Sequence, residues 1–145
     1  MRIRGSLLVG LTVVAVGAVM AQAQDAAQPV GTMGELMTSM VYPAANDLLL
    51  SIARGGPKDD KEWMAAQRSA VLLAESGNVL MMRGHARDQG DWMKNARMLV
   101  DAGAAAYKAA HAKDANALAA VDAPINASCV SCHKQYRPNV HPPRS

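Results

Sequence analysis

Cys129-Val130-Ser131-Cys132-His133 stands close to the C-terminal end of the chain, and its spacing decides how the rest is read. Two thiols three positions apart lie about one turn from each other on a helix, so both can add to the vinyl groups along one side of a porphyrin. The imidazole directly after the second thiol lies four positions beyond the first, on the same face, where it can reach the iron. Cys-x-x-Cys-His is the spacing of covalent c-type haem attachment.

Simpler uses of the cysteines fit less well. A disulfide between them would staple a single turn and restrain little, because the closed loop is so short. A zinc site would need two further ligands, and only His85, His111 and His141 remain beyond His133. Neither use accounts for the adjacent histidine.

A chain of 145 residues holds one domain around one core. Hydrophobic residues make up 50% of it, yet aromatics only 3% and Phe is absent. Alanine and methionine supply much of the apolar content, which suits helices packed closely around something large. The formal charge of +3 owes two units to Arg2 and Arg4, and without them it is +1. That leaves no basic footprint for a nucleic acid.

Arg2 and Arg4 precede an apolar run from Leu7 to Met20, and Ala21-Gln22-Ala23 then offers a small-residue cleavage site. The pattern predicts a signal peptide over 1–23. A membrane anchor is the competing reading, but the run is short for spanning a bilayer. The mature chain, 24–145, is expected in the periplasm, free of the membrane after cleavage.

Four amphipathic segments follow. The first, from about Thr32 to Ala53, carries the stripe Met33, Met37, Met40, Ala44, Leu48 and Ile52, with Pro43 predicted to interrupt and kink it. Arg54-Gly55-Gly56-Pro57 breaks the chain. The second opens at Asp59, a candidate N-cap with Glu62 three residues on, and runs through Trp63, Ala66, Ala70, Leu73, Gly77 and Leu80. A polar connection around Arg83-Gly84-His85 reaches Gly90. The third carries Trp92, Ala96, Leu99, Gly103, Ala106 and Ala110. Asp114 can cap the fourth, which carries Leu118, Val121, Ile125, Cys129, Cys132 and Tyr136, with Pro124 predicted to bend or restart it. The tail from about residue 138 is expected to be irregular. Trp63 and Trp92 read as core anchors. Short connections make this an all-α, up-down-up-down four-helix bundle.

Alternating directions place the start of the first helix, the end of the second and the start of the third level with His133. Met33, Met37 and Met40, then Met81 and Met82, then Trp92 would wall a macrocycle inserted there. Each methionine can be simple core filler. Thioether sulfur is also a recognised axial haem ligand, and Met37, mid-stripe on the helix facing His133, is the expected distal one, with Met40 and Met33 as alternatives. Arg83, Arg87, Lys94 and Arg137 cluster at the same end. Each alone reads as a solvated charge, but one of them is expected to pair with a haem propionate, since a partly buried carboxylate needs a partner. His85 falls in a connection, His111 at the opposite end and His141 in the tail.

The arrangement of signal peptide, four helices and C-terminal Cys129-Val130-Ser131-Cys132-His133-Lys134-Gln135-Tyr136-Arg137 resembles the cytochrome c′ family of four-helix bundles. The resemblance implies one covalent haem c per chain through Cys129 and Cys132, with His133 as proximal ligand. Low-spin relatives place a methionine on the first helix as distal ligand, and Met37 matches that choice. The family tends to carry an arginine early in that helix beside the haem, and this chain has none between Gln24 and Ala53. Family members often pair through helices one and two, so a homodimer is also implied.

The expected function is that of a periplasmic carrier of single electrons, with a redox protein as its partner. The alternative is a haem protein that binds or senses nitric oxide or carbon monoxide, either five-coordinate or with Met37 displaced. No acid–base or nucleophile constellation accompanies the motif, so no enzymatic activity is expected.

Overall fold

The computed structural model describes residues 28–139. The expected signal peptide over 1–23, its cleavage site and His141 lie outside them. The described residues form helices and no strand, in a bundle of four helical columns.

The first column comprises α1 (Met33–Leu36), a π-helical turn (Met37–Val41) and α2 (Tyr42–Ala53). Thr32 starts it with a reciprocal capping box. Its hydroxyl accepts from the Glu35 N–H at 3.2 Å, and the Glu35 carboxylate accepts from the Thr32 N–H at 2.8 Å. In the π turn the Tyr42 N–H reaches back to the carbonyl of Met37. Pro43, next in line, has no N–H to give, so the interruption expected there is met just upstream by a ladder widened by one residue.

The extra residue moves the buried stripe. Leu36 and Val41, five positions apart, are buried with Ala44, Ala45 and Leu48, while Met33, Met37 and Met40 are only half-buried against the core. The methionines therefore flank the core instead of forming its seam.

Gly55 and Gly56 turn the chain with φ of 83° and 80°, values that favour glycine. The second column, α3 (Asp60–Leu80), begins where the Asp59 carboxylate accepts from the Glu62 N–H at 2.8 Å, while Glu62 accepts from the Lys58 N–H at 2.7 Å. The third, α4 (Asp91–His111), has glycine at its cap position. Asp88 supplies the missing acceptor, taking the Gly90 and Trp92 N–H groups at 2.8 and 3.1 Å. The fourth is α5 (Ala115–Ala119), capped by Asp114, followed by α6 (Asp122–Tyr136). The helix restarts at Asp122, ahead of Pro124. The proline lies in the first turn of α6, where its missing N–H leaves nothing unsatisfied.

Contacts along the columns run in reverse order, so neighbours are antiparallel. Between α3 and α4, Asp60 pairs with Lys113 at 2.7 Å, Gln67 donates to the Ala110 carbonyl at 3.4 Å, and the Trp92 indole donates to the Leu80 carbonyl at 2.7 Å. Their backbones approach closely: a Cβ added to Gly103 would stand 2.6 Å from the Ala74 nitrogen. Between α4 and α6, Ser131 donates to Asn95 at 2.5 Å and Gln135 to Asp91 at 3.3 Å, and the Tyr136 hydroxyl donates to Asp88. α2 packs against α3 but barely meets α6. That parting of the first and last columns positions the site.

Candidate functional site

A cavity of about 350 Å³, within the range of cofactor pockets, opens where α2 and α6 diverge. Met37, Val41, Ala45 and Leu49 wall it on one side; Cys129, Cys132 and His133 wall it on the other. Its floor is built by Leu80, Trp92, Asn95, Ala96 and Leu99. A second space, also about 350 Å³, forms the mouth and shares Met37, Thr38, Trp92, Cys132, His133 and Arg137 with the first. Met33, Gly34, Arg87 and Tyr136 complete the mouth. The two make one cleft, apolar inside and basic at its opening.

The rotational phase of α6 follows from its sequence. Ile125 and Ser128 are buried on the core side, and the Ser128 hydroxyl is satisfied by the Ile125 carbonyl at 2.8 Å. Ser131 is anchored to Asn95 on α4 by its 2.5 Å bond. With these fixed, Cys129, Cys132 and His133 face the cleft and Val130 faces out.

Both cysteines are free and half-buried. Burial is the main cause that pushes the Cys129 thiol above its ordinary pKa, partly offset by a hydrogen bond from Ser128. Burial does the same to Cys132, helped by the nearby Cys129 sulfur. Thiols raised in this way are weak thiolate ligands. Among the described residues no three His, Cys, Asp or Glu side chains come together as a metal-holding group. An iron already held by porphyrin nitrogens asks the protein for only one or two axial donors, and the cleft offers an imidazole and a thioether.

Trp92 forms part of the floor and is almost fully buried. Its ring meets that of Tyr136 edge to face, with centroids 4.9 Å apart and planes at 78°. The Tyr136 phenol is pushed up to about 12, first by its removal from water and then by its bond to Asp88 and the charges of Asp88 and Asp91. Asp88 is held below the ordinary carboxylate value, chiefly by the Tyr136 hydroxyl and then by the Trp92 N–H.

The cleft thus gathers Cys129, Cys132, His133, Met37, Met33, Trp92, Arg87 and Arg137 from the sequence candidates. Met40 is half-buried against the core and lies outside the lining, because the π turn rotates it away from Met37. Met81 packs on the core at the end of α3, and Arg83 is exposed in the loop before α4; neither lines the cleft. Lys94 is exposed on α4, His85 is buried in that loop, and His111 is exposed at the far end. Asn95 is the participant that sequence reasoning overlooked. A polar residue one turn from Trp92, beside an otherwise apolar stripe, was the available signal.

Compared with protein-family models, with curated proteins and with solved structures, the chain matches none.

Proposed function

We propose that the protein is an exported c-type cytochrome of the four-helix-bundle kind, carrying single electrons. Cys129 and Cys132 would hold one haem covalently and His133 would be its proximal iron ligand. Met37 is the proposed distal ligand. When bound, the haem would supply the one-electron chemistry. The chain's own residues would fix it in place, present two axial donors and keep water from its faces.

The observation that carries this reading is the convergence of Cys129, Cys132, His133 and Met37 on one apolar cleft. Attachment needs the two thiols and the imidazole on a single face, and α6 presents them so. A low-spin centre needs a second donor across the cleft, and the π turn presents Met37 there rather than Met40. A thioether in that position would raise the reduction potential. The expected signal peptide over 1–23 adds the periplasmic setting.

Expression with an export and haem-attachment system, followed by an absorption spectrum, tests the reading. A low-spin spectrum unaltered by carbon monoxide supports the electron carrier. A five-coordinate spectrum that shifts with the gas would replace it with a gas-binding protein.

A further inference from the structure

The mouth of the cleft is basic, and its charges are unspent. Arg87, from the loop before α4, and Arg137, directly after α6, both line it beside Cys132 and His133. The Arg137 N–H closes the last turn on the His133 carbonyl at 2.8 Å, which ties this arginine to the imidazole's own turn. Among the described residues no carboxylate lies within ion-pairing reach of either guanidinium; the ion pair present there is Lys113 with Asp60, at the other end of the bundle.

The nearby acids are already engaged. Asp88 adjoins Arg87 in the chain, yet its oxygens take the Tyr136 hydroxyl and the Gly90 and Trp92 N–H groups. Asp91 accepts from Gln135. Two arginines therefore edge an apolar chamber with no internal acid to neutralise them. A ligand that suits this cleft is flat and apolar at one end and carries paired carboxylates at the other.

We propose that Arg87 and Arg137 are the carboxylate-binding pair of this cleft, each receiving one propionate of the haem. The proposal rests on the haem reading above and deepens it. It gives the chain an anchor that replaces the arginine missing from the start of its first column. Guanidinium suits the task, because its planar fork meets a carboxylate with two parallel hydrogen bonds. Arg83 and Lys94 stand outside the lining and take no part.

The test is the pH dependence of the midpoint potential of the holoprotein, in wild type and in Arg87→Gln, Arg137→Gln and the double variant. An ion pair with arginine depresses a carboxylate pKa, by about one to three units. Removing either arginine is expected to move the pH-dependent step of the potential upward by about one unit, and the double variant further. The potential at neutral pH should fall as positive charge leaves. Arg87→Lys and Arg137→Lys, which keep the charge, should restore most of the shift. Arg83→Gln and Lys94→Gln should leave the step in place. All these side chains are exposed, so circular dichroism should show the fold intact throughout.

A step that stays put in the double variant overturns the propionate assignment and leaves the haem reading standing. So does an equal shift in Arg83→Gln, which would mean general surface charge. Protein without covalent haem overturns both.

Discussion

The hydroxyl of Tyr136 donates to the carboxylate of Asp88, joining the last turn of α6 to the loop that caps α4. The same carboxylate holds the N–H of Trp92, and the Trp92 and Tyr136 rings meet edge to face. One acid therefore starts a helix, anchors another and steadies the floor of the cleft.

The pair sets a pH window for stability. Asp88 has a depressed folded pKa, so its contribution is present above the ordinary carboxylate value near 4 and is lost as pH falls through the lowered one. Tyr136 has a raised folded pKa, so its contribution is complete below about pH 10 and is lost as pH rises toward about 12. Thermal unfolding across pH should show a plateau bounded on both sides. Tyr136→Phe should lower the plateau modestly and flatten its alkaline limb, and an unchanged alkaline limb would contradict this.

The approach of α3 and α4 depends on glycine. In Gly103→Ala the new methyl would stand 2.6 Å from the Ala74 nitrogen, against backbone that cannot rotate aside. Overpacking of this kind costs about 1–3 kcal/mol, more than the roughly 1 kcal/mol that alanine gains in helix propensity. Gly34→Ala, with nothing nearer than 3.9 Å, should be neutral or stabilising. Denaturant titration of both variants checks the contrast.

Most of the fold was legible in the sequence. Asp59, Asp114 and the Gly55-Gly56 break sit where short-range chemistry puts caps and turns, and the seams of α3 and α4 are regular enough to read directly. The first column was less so. Its methionine stripe assumes an unbroken 3.6-residue period, whereas the π turn before Pro43 inserts one residue and buries Leu36 and Val41. The restart expected at Pro124 was legible, for a new helix begins at Asp122 with the proline in its first turn. That Cys129, Cys132 and His133 share one face was readable, because they lie about one helical turn apart. The Asn95–Ser131 and Tyr136–Asp88 bonds were not, because each joins residues far apart in the chain, and only packing brings them together.

Asn95 should act as a phase lock for α6. It is nearly buried, and its side chain accepts the Ser131 hydroxyl between the two cysteines. Asn95→Ala removes the acceptor on α4 from the half-buried Ser131 hydroxyl, which keeps the Ser128 carbonyl at 3.3 Å, and should cost about 1 kcal/mol. Ser131→Ala in the same background should add little further. A double-mutant cycle from urea unfolding measures the coupling, and strict additivity would remove the role.

Met37 and Met40 should behave differently under substitution. Met37→Ala is expected to turn a low-spin spectrum high-spin, while Met40→Ala leaves it low-spin, because Met37 lines the cleft and Met40 does not. The reverse pattern would assign the iron to Met40.

The most direct test of the central claim is the intact mass of the exported protein, made in a host that attaches haem and analysed after denaturation and solvent extraction. A mature chain heavier by one haem is expected, reduced to the bare polypeptide mass in Cys129→Ala/Cys132→Ala. A wild-type mass equal to that of the bare polypeptide would contradict it.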